Sequence, residues 1–411
     1  MRIVRTRDWS RPAAGSAIAL EVGAILDDVR EGGDAAVLSL TERFDHAELG
    51  PEQLRVDPGE LEASVGVLEP AVLSALRTAI ANVRAVAAAQ LREPLDVELE
   101  QGQRVEVVEV PVRRAAVYVP AGRAPYPSTV VMGAATARAA GVEEVVVCAP
   151  PGPGGRANPV ILAACVLCEV HEVFRMGGAQ AIAALAYGTE SVPPVDVIVG
   201  PGNPYVQEAK RQLVGLVGID GIAGPSELAV VASSGADPEL VALDLMAQAE
   251  HGADSPVWCL SPDAGLLDAV DAAVRRLAPE RPSVTDAEAQ LVETDDVRGA
   301  IRMADEIAPE HLQLIGEEAE ALADRVRNAG CLFVGAGAAT AFGDYVAGSN
   351  HVLPTGGAAR FQSALSPATF RRRMARVSLP PEAASRLAPA GAALARAEGF
   401  PVHAESMERR A

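Results

Sequence analysis

Histidine is scarce in this chain: six in 411 residues, at His46, His171, His251, His311, His351 and His403. Aromatic residues make up only 3%. No apolar run approaches the length of a bilayer span, which argues against a membrane partner. The opening MRIVRTRDWSRP lacks the apolar centre of a secretory signal. The five cysteines are odd in number and irregular in spacing. That excludes a disulfide framework and fits reduced thiols in the cytoplasm. Positive charge is also short, with 35 Lys and Arg against 55 Asp and Glu and a net charge of −20. Nucleic acid is therefore not an expected partner, because phosphate contacts need clustered cations. An anionic cofactor would have to be held by local dipoles and a few chosen donors. What the chain does have is length and apolar content: 49% hydrophobic against 22% charged residues, enough for two or three globular domains.

The first hundred residues read mostly as helix, with apolar spacing of three and four over residues 17–32 and 60–91. From Val112 short β-branched runs alternate with helical stretches. The strand-like runs are AAVYVP, EEVVVCAP, EVHEVFRMGG and VDVIVG. A second series follows with ELAVVAS, PVWCLS, HLQLIG and CLFVGA. Alternation at this rhythm predicts βαβ units, and hence two parallel-sheet, Rossmann-like layers in an α/β protein. The two series share no sequence repeat, so any duplication is one of fold. The segment from Pro380 onward is Ala-rich and reads as helix with a charged end.

Two glycine loops follow strands. Gly152-Pro153-Gly154-Gly155-Arg156-Ala157 loosely fits the dinucleotide fingerprint. Pro150, Pro151 and Pro153 remove the amide donors a pyrophosphate would need, so it reads as a surface loop. Gly200-Pro201-Gly202-Asn203-Pro204, after VDVIV, is either a ligand loop or a tight structural turn.

DLMAQAEHG carries the chemistry most clearly. It places Gln248 and His251 three residues apart at the end of a helix that Gly252 stops, so both side chains share one face. Asp344 and His351 lie together in GDYVAGSNHVLPTGG. Glu310 and His311 are adjacent in APEHL and can address one ligand from two directions, although on their own they read first as an exposed polar turn. Glu398 and His403 sit in the tail. Cys165 and Cys168 form a lone CxxC inside an apolar helix and read as core, as do Cys148, Cys259 and Cys331 in strand-like runs. His46 reads as a solvated turn residue and His171 as a partly buried strand residue.

Taken together, DLMAQAEHG, IAPEHLQL, GIAGPSE, MGGAQAIAALAYGTE, VGPGNPYVQEAKR and GDYVAGSNHVLPTGGAARF resemble histidinol dehydrogenase. The resemblance runs from VREGGDAAVLSLTERFD to AEGFPVH, nearly the whole chain. It implies a cytoplasmic homodimer that oxidises L-histidinol through L-histidinal to L-histidine, the last step of histidine biosynthesis. Two NAD would be used in turn, with one zinc ion per subunit. It implies zinc ligands Gln248, His251, Asp344 and His403, and an acid–base pair Glu310 and His311. Substrate contacts would fall on Ser226, Gln248, His251, His311, Asp344, His351, Glu398 and His403. NAD contacts would fall on Tyr118, Gln180 and Asn203. The tail would complete the neighbouring subunit's site. The expected division is an arm at 1–15, one Rossmann-like domain of 16–117 plus 229–365, a second of 118–228, and a tail domain of 366–411. Val119-Pro120-Ala121-Gly122 and the helix Met132 to Gly141 depart from the family's usual pattern. They leave a same-family NAD-dependent dehydrogenase of another small amino or sulfo alcohol as the alternative. A zinc hydrolase is disfavoured because no HExxH pattern occurs. A binding protein without turnover would differ in keeping affinity but not rate.

Overall fold

The computed structural model describes residues 1–6, 18–120 and 124–411. Ala17, most of the expected arm, Ala121 and Gly122 lie outside the described residues. A five-stranded parallel sheet contains β4 (Arg114–Tyr118), β5 (Glu144–Ala149), β6 (Glu172–Arg175), β7 (Val197–Val199) and β8 (Gly218–Ile219), in the order β6-β5-β4-β7-β8. A six-stranded parallel sheet contains β1 (Arg2–Thr6), β9 (Leu228–Ala232), β10 (Val257–Ser261), β11 (Glu288–Glu293), β12 (His311–Ile315) and β13 (Cys331–Val334), in the order β1-β11-β10-β9-β12-β13. The five-stranded sheet starts at its middle, at β4, grows outward to one side and then crosses to the other; from β9 onward the six-stranded sheet does the same, with the N-terminal β1 added beyond β11 at its edge. The expected duplication of fold is therefore present, with a switch point between β4 and β7 and another between β9 and β12.

Both sheets are covered on two faces, which explains why their strands read as unbroken apolar runs. Along β4, Ala115 and Val117 enter one core while Ala116 and Tyr118 enter the other. Along β9, Leu228, Val230 and Ala232 face one side and Ala229 and Val231 the opposite side. Each fully buried Val, Leu or Ile contributes about 1.5–3 kcal/mol. The helices that cover the sheets start by one repeated device. Asp57, Asn158, Asn203 and Asp237 each cap a helix whose first residue is proline, the side-chain oxygen accepting a backbone N–H of the first turn.

Three expectations need correcting. The helices of residues 19–89 pack on the five-stranded sheet, not with the 229–365 layer: Val22, Ile25, Leu26 and Val29 join one of its cores, and Leu76, Ile80 and Val83 the other. Arg2–Thr6, placed in the arm, is an edge strand paired with β11. The helix Pro70–Ala89 is long and apolar enough to cross a membrane by composition, contrary to the sequence reading. Its Leu76, Ala79, Ile80, Val83 and Ala87 nonetheless form a buried stripe at helical spacing.

A third sheet was not foreseen. Strands β2 (Leu95–Glu98), β3 (Arg104–Pro111) and β14 (Arg371–Ser378) pair antiparallel in the order β14-β3-β2. Beyond it the tail forms the helices Pro381–Ala397 and Pro401–Glu408.

Candidate active site

The pairing of β9 with β12 builds the centre of the site. His311 lies opposite Leu228, so the residues just before each strand, Ser226-Glu227 and Glu310, meet at the amino edge of the six-stranded sheet. Glu310 is 6% exposed and His311 2%, so the polar-turn reading of this pair fails. Gln248 Nε2 donates to Ser226 Oγ (2.8 Å), and Ser226 Oγ donates to Glu310 Oε2 (2.5 Å). Glu227 N donates to the same Glu310 oxygen at 2.9 Å. His311 Nδ1 faces the Glu227 carbonyl at 3.1 Å, and its Nε2 lies 3.5 Å from Asp344 Oδ1. Hydrogen-bonded carboxylate, imidazole and second carboxylate thus form one row, buried at Glu310 and His311 and half-buried at Asp344.

Electrostatics follow from that burial. Burial raises the Glu310 carboxyl, opposed by His311, the Ser226 hydroxyl and the Glu227 N–H. For His311 burial opposes the charged ring. Glu310, Asp344 and the Glu227 carbonyl together outweigh it and push the ring up to about 9. Burial acts to raise Asp344 as well, but His311, His351 and His251 hold it below the usual carboxylate range. Burial keeps His351 below the usual imidazole range, and its Nδ1 donates to the Asp344 carbonyl at 2.9 Å, leaving Nε2 as acceptor.

Ser226, His251, Glu310, His311, Asp344 and His351 line one cavity of about 460 Å³. His251 lies just past the helix Pro238–Ala249 rather than within its last turn, and is exposed. Asp344 lies on the short helix Thr340–Tyr345 rather than in a loop, and the loop that follows it to His351 is held in place by Asn350, whose Nδ2 donates to Met132 O (3.1 Å) and Thr136 Oγ1 (3.2 Å). Residues Val131–Ala135 there form a π-turn, a local widening that frees backbone carbonyls for such contacts.

A second cavity of about 700 Å³ lies at the carboxyl edge of the five-stranded sheet and is lined by Tyr118, Gln180 and Asn203. Asn203 also lines the first cavity. The two cavities thus meet at the Gly200–Asn203 loop, which favours the ligand-loop reading over a mere turn. Tyr118 Oη accepts the Gly178 N–H at 3.1 Å, and burial pushes its phenol up. Gln180 is 1% exposed, and its Nε2 has no partner among the described residues. A buried amide left without an acceptor is costly, so this donor suits a polar ligand. The Gly152 loop, read as a surface loop, forms a wall of this cavity with Pro150, Pro151 and Gly152. The Gly152 N–H is consumed by Arg156 O at 2.8 Å, consistent with its offering little to a phosphate.

Asp45 also lines this cavity, at the C-terminal end of a helix, where a negative charge is disfavoured. Its Oδ2 is buried without a donor among the described residues. Burial, opposed by His46, pushes its pKa up to about 6. A carboxyl raised on folding supports stability below its ordinary value near 3.8 and loses that support as pH climbs through about 6. Asp45→Asn is therefore expected to raise the melting temperature at about pH 8, with the gain vanishing near about pH 4. An equal gain at both pH values would refute this account.

The comparisons with known proteins bear directly on this arrangement. The histidinol dehydrogenase family profile matches residues 10–411. The chain belongs to the histidinol dehydrogenase family. It is accordingly an oxidoreductase. It is 46% identical to a histidinol dehydrogenase of Parasynechococcus marenigrum over 395 residues, covering 95% of this chain and 90% of the relative. It is 44% identical to one from Methylococcus capsulatus over 396 residues, covering 95% and 91%. Its fold matches the crystal structure of histidinol dehydrogenase from Elizabethkingia anophelis with a TM-score of 0.93 at 31% identity, covering 100% of this chain and 98% of that one.

In this histidinol dehydrogenase family member, two of the residues read for the site stand apart. Glu398, just past the helix Pro381–Ala397, and His403, on the last helix, are exposed, and neither lines the cavity. The His403 ring instead lies 5.2 Å from that of Phe400. Among the described residues no three His, Cys, Asp or Glu side chains are grouped to hold a metal. The chain supplies a partial set: His251 and Asp344, which interact electrostatically, and Gln248, whose committed Nε2 leaves the amide oxygen as its remaining polar atom.

The other histidines fall outside the site. His46 is an exposed residue in the left-handed region at a helix end, and His171 is exposed just before β6 rather than partly buried within it. Residues not singled out from the sequence include Glu227, which accepts the Gly356 N–H at 2.9 Å, and the buried pair Lys210 and Asp220. Glu227 neighbours Ser226 in PSE, and Lys210 is the only lysine in the chain. Both signals were available.

Proposed function

We propose that this enzyme oxidises L-histidinol through L-histidinal to L-histidine in histidine biosynthesis, by two successive hydride transfers to NAD. The observation that carries this reading is the row Ser226, Glu310, His311 and Asp344, centred on the buried Glu310-His311 pair, on a cavity that meets a second one at Asn203.

His311 serves the proton at the carbinol oxygen. Its Nδ1–H on the Glu227 carbonyl fixes the ring so that Nε2 faces the substrate side. Glu310, the adjacent carboxylate, holds and activates the water that adds to the aldehyde before the second oxidation. Ser226 and the Glu227 N–H orient its carboxyl group. NAD, when bound along Tyr118, Gln180 and Asn203, supplies the hydride acceptor. The start of the helix Gly178–Tyr187 at that cavity favours its negative charge. Zinc held by Gln248, His251, Asp344 and His403 of the partner subunit would orient the substrate's imidazole and amine and neutralise part of the carboxylate field that keeps His311 protonated. His351 and Glu398 of the partner subunit complete the polar wall around the substrate.

The proposal includes a homodimer. It is supported by the exposed position of His403 and by apolar side chains left exposed on the third sheet and tail: Leu95, Val97, Met374, Val377, Leu394 and Phe400. Purified protein is expected to form two NADH per histidinol consumed, with activity removed by a chelator and restored by zinc. A ratio of one, or full turnover in metal-free protein, would refute this reading.

A further inference from the structure

Lys210 is the only lysine among 411 residues; every other Lys or Arg position is arginine. It lies on the helix Pro204–Leu213 and is 1% exposed. A long cation is rarely so deeply buried unless it is paired. Lys210 Nζ donates to Gly200 O and to Asp220 Oδ1, each at 2.6 Å. Asp220 Oδ2 in turn accepts the Gly200 N–H at 2.7 Å, while Asp220 Oδ1 also accepts the Gly221 N–H at 2.9 Å. Both polar ends of one residue, Gly200, are therefore gripped by a single ion pair.

Gly200 is where such a grip matters. Its φ is +113°, and a Cβ there would lie 2.1 Å from the Tyr118 carbonyl oxygen. Only glycine permits this approach of β7's end to β4's end. Three residues on, Asn203 caps the helix Pro204–Leu213 with Oδ1, leaving its amide nitrogen as a donor on the wall common to both cavities. Arginine cannot take over the grip. Its planar fork presents donors in a fixed geometry and is bulkier, whereas an ammonium directs three donors from one compact centre. A chain that uses arginine everywhere else has lysine at the one place where a point cation is needed.

We propose that the Lys210–Asp220 pair is a positioning device: it sets the Gly200–Asn203 loop so that Asn203 meets the dinucleotide at the junction of the two cavities. This rests on the reading of the second cavity as the NAD site. Its effect falls on cofactor affinity, not on the acid–base chemistry of Glu310 and His311.

The test is direct titration of full-length, zinc-loaded protein with NAD, alongside thermal melting, for the parent, Lys210→Arg, Lys210→Met and the double variant Lys210→Met with Asp220→Asn. Lys210→Arg is expected to weaken NAD binding roughly ten-fold or more, and by more than it weakens histidinol binding, although Lys210 and Asp220 also lie on the wall of the first cavity. Lys210→Met, which strands a buried carboxylate, melts at lower temperature. The double variant removes both charges and regains melting temperature, yet does not regain NAD affinity. If the double variant recovers both, or if Lys210→Arg binds NAD as the parent does, the pair only stabilises the fold and the proposal is overturned. Parent protein that binds no NAD at all would instead overturn the cofactor reading of the cavity.

Discussion

His311→Asn is expected to lower kcat with histidinol by about 10²- to 10⁴-fold, the usual loss when a positioned base is removed. The variant should still bind histidinol. Asparagine can donate its amide hydrogen to the Glu227 carbonyl, so the local structure survives while proton transfer does not. Glu310→Gln should divide the reaction differently. A glutamine oxygen can accept both the Ser226 hydroxyl and the Glu227 N–H, as Glu310 Oε2 does. What is lost is the charge that activates water, so the second oxidation should fail more than the first. The readout is NADH per histidinol, expected to drop from two toward one as aldehyde accumulates. A ratio held at two with both steps slowed alike would refute the separate role of Glu310. Histidinol binding lost in both variants would show that they act on the fold rather than on turnover.

The second large effect concerns a residue that does not touch the site within its own chain. His403 is exposed on the last helix. His403→Asn is nevertheless expected to weaken zinc binding at least about 100-fold, since even partners of metal ligands are worth about 10- to 100-fold. Activity should be abolished with it. Mixing this variant with His311→Asn after dissociation and reassociation should restore activity. Each mixed dimer then carries one site with both defects and one with none. With random exchange of equal amounts the recovery is about a quarter of the parent value. Zinc content by mass spectrometry and NADH formation on the same samples provide the measurement. A mixture as inactive as its components, although mixed dimers have formed, would place His403 in its own subunit's site or outside any site.

Legibility in the sequence followed the range of the interactions involved. The parallel strands were readable because each is buried on both faces and so spells an apolar run: AAVY within β4, VVV within β5, and LAVV within β9. The antiparallel sheet was not. Its strands β2 and β14 are almost wholly exposed and carry mixed charge, as in RRRMARVS, so neither burial nor alternation marks them clearly. Strand β1 was missed for a related reason: it is a short edge, RIVRT, with no period-two alternation, paired on one side only. In the site, Gln248, His251, Asp344 and the Glu310-His311 pair were visible as residue types able to hold a metal or a proton. Their burial and mutual contacts were not, whereas the uniqueness of Lys210 is a matter of composition alone.

From local pattern the chain by itself determines two α/β layers, helix starts at Asx-Pro pairs, and a family whose motifs occur in order. Those properties follow from neighbours a few residues apart, where 2.0 and 3.6 periodicities and caps operate. Only the tertiary structure decided that Ser226 meets Glu310, that His311 sits beside Asp344, and that one glycine loop joins two cavities. Those contacts come from the register of β9 against β12 and from the approach of β7 to β4. Pairing across such separations is selected by the burial of whole faces, which no single stretch of sequence contains.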